Sequence, residues 1–167
     1  MLFDRINLAL DLKVLVLVSV ANAAPVIAQD IFGRSLSYPV DGRAMFFDAQ
    51  PLLGASKSVR GLVSSLLATT LVAPIVGLSW LAGALIGAAA MLGDLCSSFI
   101  KRRMKLPPSS MTTGLDQIPE SLFPLLACAA FLPLSVTDIA IVVACFGAGE
   151  VFGSRFLHRI RLRDRPY

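Results

Sequence analysis

The chain has 167 residues, of which 56% are hydrophobic and 16% charged, with a formal net charge of +4; an ordinary soluble domain carries about 25% charged residues. So little polar surface excludes a water-soluble domain, and the apolar residues come in long charge-free runs that point to membrane-spanning helices. The fold class expected is all-α, a polytopic integral membrane protein of about five transmembrane helices near 8–28, 58–76, 79–104, 118–134 and 137–159.

The first helix carries Asp11 and Lys13 in its opening turns, and both are expected to reach the membrane surface. Ala21-Asn22-Ala23 has the small-residue pattern of a signal cleavage site, but Asp4 cancels Arg5 and Asp11 cancels Lys13. A signal peptide needs a positive leading region, so this helix is read as a retained span. A loop over 29–57 follows, ending in Leu53-Gly54-Ala55-Ser56-Lys57-Ser58-Val59-Arg60-Gly61. Gly54 permits a tight turn, the amides that open a helix attract anions, and Lys57 and Arg60 add positive charge. The Walker A spacing is absent. Juxtamembrane basic residues resting on anionic lipid are the simpler reading.

Residues 62 to 93 contain no Asp, Glu, Lys or Arg. A span needs about 20 residues, so this stretch is two helices turning near Gly77 to Trp80. Gly83, Gly87 and Gly93 give the third helix a small-residue surface suited to close packing. A loop over 104–117 leads to the fourth helix, and the apolar run from Ile139 to about Leu157 makes the fifth. None of these runs alternates as the strands of a membrane barrel would. Cys96, Cys128 and Cys145 are isolated, and the single His cannot complete a zinc site, so the cysteines read as small buried hydrophobes. No repeat or soluble second domain is visible, and residues 1–167 are expected to form one membrane domain.

Charge orients the bundle. Thirteen of the fifteen basic residues lie in three places: Arg34, Arg43, Lys57 and Arg60; Lys101, Arg102, Arg103 and Lys105; and Arg155, Arg159, Arg161, Arg163 and Arg165. Five helices put all three on one face, which the positive-inside rule makes cytoplasmic. The N-terminus is then outside and the C-terminus inside.

Topology accounts for the basic residues but not for the acids. Asp94 ends the long apolar run and Asp116 opens the fourth helix, where acidic side chains are costly and usually functional. Asp94, Ser97 or Ser98, and Lys101 share one helix face, directed toward the loop that carries Asp116. Carboxylates converging with Lys and Arg suit Mg²⁺ and a polyphosphate, because Mg²⁺ takes one or two carboxylates together with phosphate oxygens. A non-enzymatic protein binding anionic lipid and a transporter both compete with this reading, and assembly as a homodimer is left open.

Ala21-Asn22-Ala23-Ala24-Pro25, Asp41-Gly42-Arg43, Lys57-Ser58-Val59-Arg60-Gly61, Gly93-Asp94-Leu95 through Ser98-Phe99-Ile100-Lys101-Arg102-Arg103, Leu115-Asp116-Gln117 and the ending Leu162-Arg163-Asp164-Arg165-Pro166-Tyr167 resemble the CDP-archaeol synthase family, related to the phosphatidate cytidylyltransferases. The chain departs from the family pattern at Val59, where a Trp is usual, at Asp48, which lacks the Gly that often follows it, and after Leu115-Asp116-Gln117, where the usual acid is absent and Pro119-Glu120 stands nearby instead. The resemblance implies a five-helix membrane enzyme that joins CTP to a lipid phosphate of the archaetidic or phosphatidic acid type, releasing pyrophosphate and requiring Mg²⁺. It implies Asp94 and Asp116 as metal carboxylates. Lys101, Arg102, Lys57 and Arg60 would neutralise the phosphates, Ser98 would add a hydrogen bond, and Asp41 and Asn22 have lesser roles. Its partners are the bilayer, CTP and the lipid, with no nucleic acid.

Overall fold

The computed structural model describes residues 6–33, 35–107, 110, 112 and 114–159, with side chains through Gly153. Arg34, Arg161, Arg163 and Arg165, the side chains of Arg155 and Arg159, and the motif at 162–167 lie outside the described residues. Five helices form in the expected order: α1 Leu8–Phe32, α2 Val59–Ile75, α3 Trp80–Arg103, α4 Gln117–Cys128 and α5 Val136–Arg159. Among the described residues there is no strand, only two isolated bridges, Pro39 with Ser58 and Met45 with Pro51. The helices α1, α3 and the 136–153 part of α5 are long and apolar enough to cross a membrane, while α2 has 17 residues.

The starts follow from local chemistry. The side chains of Asn7, Ser58 and Ser79 accept the amides of Leu10, Gly61 and Ala82 at 3.1–3.2 Å, satisfying donors that a helix leaves open. The fifth helix opens with a reciprocal capping box: the Ser135 amide donates to Asp138 at 2.9 Å, and the Asp138 amide donates to the Ser135 hydroxyl at 3.1 Å.

Two bounds differ from expectation. The first helix runs on to Phe32, where Gly33 at φ 54° ends it by donating its amide to the Gln29 carbonyl. The fourth has 12 residues rather than the 17 of 118–134, about 18 Å of rise against a hydrocarbon core of about 30 Å. The Cys128 carbonyl accepts the amides of both Phe131 and Leu132, closing a turn, and Pro133 disfavours helical backbone at Leu132.

One apolar cluster draws on all five helices, with Val14, Leu17, Val18, Ala73, Ile86, Leu125, Cys128, Val142 and Phe146 all buried. The small residues of α3 serve two neighbours rather than one. A β-carbon at Gly83 or Gly87 would strike Thr69 of α2, and one at Gly93 would strike the Pro119 carbonyl of α4. Asp11 corrects another expectation. Its carboxyl is 5% exposed and turns inward to Asp138 of α5, which also accepts the Asn7 amide at 3.3 Å. Cys145 is exposed, unlike buried Cys128.

Candidate functional site

The loop before α2 is built around Asp41. Its carboxylate accepts the amides of Arg43, Leu53 and Gly54 at 2.9–3.1 Å. Burial raises its pKa, but these amides more than offset that and hold it below the ordinary carboxylate value. Gly54 turns the chain at φ 99°. The Lys57 carbonyl then accepts the Val40 amide at 2.8 Å and the Tyr38 carbonyl accepts the Val59 amide at 2.9 Å. Arg103 pins the far side of the loop to the end of α3: its guanidinium lies 4.6 Å from the Phe46 ring and 4.9 Å from the Phe99 ring, pairs with Asp48 at 3.0 Å and donates to the Pro51 carbonyl at 2.5 Å. Lys57 is thereby fixed at the mouth of the bundle.

Lys57 Nζ meets Asp94 Oδ1 at 2.5 Å, with both side chains about one-fifth exposed. One residue earlier, Gly93 lets the α4 backbone approach so closely that Glu120, 6% exposed, lies beside Asp94. Asn22, Lys57, Asp94, Glu120 and Glu150 line a cavity of about 220 Å³, whose remaining wall includes Val26, Leu62, Met91 and Leu95.

A second ion pair lies nearer the end of α3. Lys101 Nζ meets Asp116 Oδ1 at 2.7 Å and also donates to the Ser110 carbonyl at 3.0 Å. Asp116 Oδ2 accepts the Thr112 amide at 2.9 Å. Arg102, 3% exposed, donates through Nη2 to the Pro107 carbonyl at 3.0 Å, while its Nε and Nη1 have no hydrogen-bond partner among the described residues. Asp94 and Lys101 are seven residues apart on one helix, about 10 Å. The two expected carboxylates are therefore held at separate levels, each by its own lysine.

Other expected residues divide. Ser98 is 2% exposed on α3, outside the cavity wall. Arg60 faces away from the cavity and donates to the carbonyls of Gly33 and Ser35 at 3.0 and 2.5 Å, closing the end of α1. Asp41 organises the loop and does not line the cavity. Two further cavity residues, Glu120 and Glu150, have no role in the expectations from sequence, where Glu120 stands only as a departure from the family pattern. The signals were present: Glu120 follows Asp116 by four residues and shares its helix face, and Glu150 is an acid inside an apolar run.

Among the described residues, no three His, Cys, Asp or Glu side chains stand together in metal-binding geometry. Mg²⁺ needs fewer, since it retains waters and takes phosphate oxygens. The cavity wall brings carboxyl oxygens of Asp94, Glu120 and Glu150 beside the Lys57 ammonium, the type of donor that such a cation takes.

Comparison with known proteins adds a second line of support. CDP-archaeol synthases from Thermofilum pendens (30% identical over 129 residues, 74% of this chain and 63% of that protein), Sulfurisphaera tokodaii (29% over 135 residues, 77% and 81%) and Methanococcus aeolicus (33% over 134 residues, 70% and 72%) are similar to it. The chain thus spans less than two thirds of the Thermofilum protein. A solved structure described as an intramembrane enzyme for archaeal membrane lipids biosynthesis shares the fold, with a TM-score of 0.74 and 23% identity over 84% of this chain and 90% of that one. The profile of the CarS-like family, CDP-archaeol synthase, matches residues 6–167, and the chain belongs to that family.

Proposed function

We propose that the protein is a membrane CTP:lipid-phosphate cytidylyltransferase forming a CDP-lipid of the archaeol type. The observation that carries this reading is the Lys57, Asp94 and Glu120 cluster, with Lys101, Asp116 and Arg102 at the next level of the same helix pair. Basic groups that can bind phosphates stand beside carboxylates that can bind a cation, at the end of a membrane bundle. A lipid phosphate at the headgroup plane and soluble CTP meet there. The cavity is smaller than the ~300–1,000 Å³ that encloses whole drug-sized ligands, so it takes the reacting phosphates while the nucleoside lies over its mouth.

An ionised oxygen of the lipid phosphate attacks the α-phosphorus of CTP, a new P–O bond forms, and the bond to the β-phosphate breaks to release pyrophosphate. No general base is needed, and catalysis is positioning and charge stabilisation. Lys57, Lys101 and Arg102 neutralise the phosphates; Arg102 brings two buried N–H-bearing nitrogens to that task. Asp94, and Asp116 from the next level through water, would hold Mg²⁺, and the ion would screen the triphosphate charge. Arg60 and Asp41 act through the scaffold, and Ser98 supports the α3 face behind Asp94. Residues 1–167 form one domain, with the N-terminus outside and the C-terminus in the cytoplasm.

The test is pyrophosphate release by purified protein with CTP, Mg²⁺ and either archaetidic acid or diacyl phosphatidic acid. Turnover is expected with the ether lipid, and Asp94→Asn is expected to lower it about 10²–10³-fold, the scale of a lost charge-stabilising group. Asp116→Asn should also lower it. Folded wild-type protein that converts neither lipid refutes the reading.

A further inference from the structure

We infer that the tip of the loop before α2 is a membrane anchor: Phe47, with Met45 beside it, inserts among the acyl chains of the leaflet at the Arg103 end of the bundle. The partner is the bilayer itself, and the inference stands whether or not the protein transfers a cytidylyl group.

Turns that face water usually carry Gly, Asn, Asp, Ser or Pro, and this one carries phenylalanine at its corner. Residues 44–52 form a miniature hairpin. The Leu52 amide donates to the Ala44 carbonyl and the Phe46 amide to the Gln50 carbonyl, each at 2.9 Å, and Met45 is bridged to Pro51. The Ala49 amide donates to the Phe46 carbonyl at 3.0 Å, with Ala49 left-handed at φ 59°. Phe47 therefore sits in a closed turn, and that turn holds it outward: it is 100% exposed and Met45 is 61% exposed. Two large apolar side chains presented by a bonded backbone forgo the stabilisation that removal from water gives.

The depth of the tip follows from α3. Trp80 opens that helix and is 65% exposed, the position in which a Trp marks a membrane interface. A hydrocarbon core of about 30 Å spans about 20 helical residues, which brings the opposite boundary to the level of Phe99 and Ile100. The hairpin leans on that level. The Phe46 ring meets the Phe99 ring edge-on at 5.3 Å and the Phe47 ring at 5.0 Å. Arg103, about 6 Å further along the helix, holds the hairpin through the Pro51 carbonyl and Asp48. The tip thus lies beside the last turns of α3, where acyl chains begin, and Arg103 keeps its charge at the level of the headgroups.

Exposed Arg43 on the same hairpin adds a cation that anionic headgroups attract. Apolar side chains with basic residues behind them are the composition of interfacial anchors. The anchor also reaches the cavity. The hairpin leads directly into Leu53 and Gly54, whose amides Asp41 holds, and from there to Lys57, so the bilayer surface would steady the segment that carries Lys57.

The chain has a single tryptophan, so Phe47→Trp in a Trp80→Phe background gives one fluorophore at the tip. The full chain is reconstituted in vesicles of phosphatidylcholine and phosphatidylglycerol, with or without bromine on the upper acyl chains, and thermal unfolding confirms that the variant is folded. Emission is expected to shift to the blue of free tryptophanamide and to be protected from acrylamide. A side chain buried ~5–10 Å into the headgroup and acyl boundary lies within reach of those bromines, so brominated lipid should lower emission at least about twofold. Met45→Trp in the same background repeats the test on the same hairpin and decides it if Phe47→Trp does not fold. Emission like that of free tryptophanamide, quenched by acrylamide and not by brominated lipid, overturns the inference. Blue-shifted emission that neither quencher lowers also overturns it, because protein, such as a second copy of this chain, then covers the tip.

Discussion

Replacing Gly93 with alanine tests the link between helix packing and chemistry. In an otherwise unstrained helix the change would stabilise by about 1 kcal/mol, because alanine loses less backbone freedom than glycine. Here the added methyl would overlap the Pro119 carbonyl oxygen and stand 2.5 Å from its carbon and 2.9 Å from the Glu120 nitrogen. All three are backbone atoms, so no rotamer change relieves the contact. Restoring ordinary separations of about 3.5 Å moves α4 away from α3 by about 1 Å. Overpacking of this kind costs about 1–3 kcal/mol, and backbone obstruction puts it at the upper end, for a net loss of about 2 kcal/mol. The same displacement carries Glu120 from Asp94, and a 1 Å misplacement at a reacting centre costs about 100-fold in rate. Gly149→Ala is the control, since a β-carbon at that position meets nothing within 4 Å. The assays are apparent unfolding temperature in detergent and CDP-lipid formation from labelled CTP. If Gly93→Ala matches Gly149→Ala in both, the close approach of α3 and α4 does not position the site.

Asp138→Ala removes the acceptor for the Asn7 amide, the Ser135 amide and the Ser135 hydroxyl, so unfolding should occur about 1–2 kcal/mol more easily. Activity per folded molecule should stay unchanged, because the site is at the opposite end of the bundle. The Asp41 loop should show a defined pH dependence. Its carboxyl has a lower pKa folded than unfolded, so the ionised form stabilises the loop at every pH above the unfolded value. That stability disappears as pH falls through the lowered folded value. Limited proteolysis within 42–52, using an acid-active protease, should therefore show constant protection down to about pH 4 and cleavage below it. Asp41→Asn should be cleaved readily throughout.

Much of the architecture was legible because it depends on local composition. Long apolar runs give α1, α3 and α5, and the charge-free stretch 62–93 gives α2 and the turn before α3; the early end of α4 at Cys128, before Pro133, was not legible in the apolar run through 134. The motif residues Lys57, Asp94, Lys101, Arg102 and Asp116 also stood out, because charge at the end of an apolar run has few structural uses. Asp11 did not follow its expected course outward, since the hydrogen-bonded cap at Ser135 and Asp138 lies in a different helix and becomes its neighbour only on folding. Arg60 looked like a phosphate ligand because a basic residue at a helix start attracts anions, and the carbonyls of Gly33 and Ser35 compete for the same donors.

The pairing of acids with bases was illegible for a single reason, the register between α3 and α4. Spacing within a helix follows from sequence: Asp94 and Lys101 differ by about 10 Å in rise, Asp116 and Glu120 by about 6 Å. Which residue of one helix stands opposite which residue of the other is set by Gly93 meeting Pro119, a contact between two backbones that neither segment announces alone. Once Glu120 is beside Asp94, the antiparallel run of the helices leaves Asp116 about 4 Å short of the level of Lys101 along the axis. Lysine closes that gap, because side chains on a helix lean toward its N-terminus and Lys101 reaches back along α3. The same register that brings the Lys101 ammonium to Asp116 at 2.7 Å leaves Asp94 to Lys57 and Glu120, so a single packing contact determines both ion pairs and divides the charged groups into two levels.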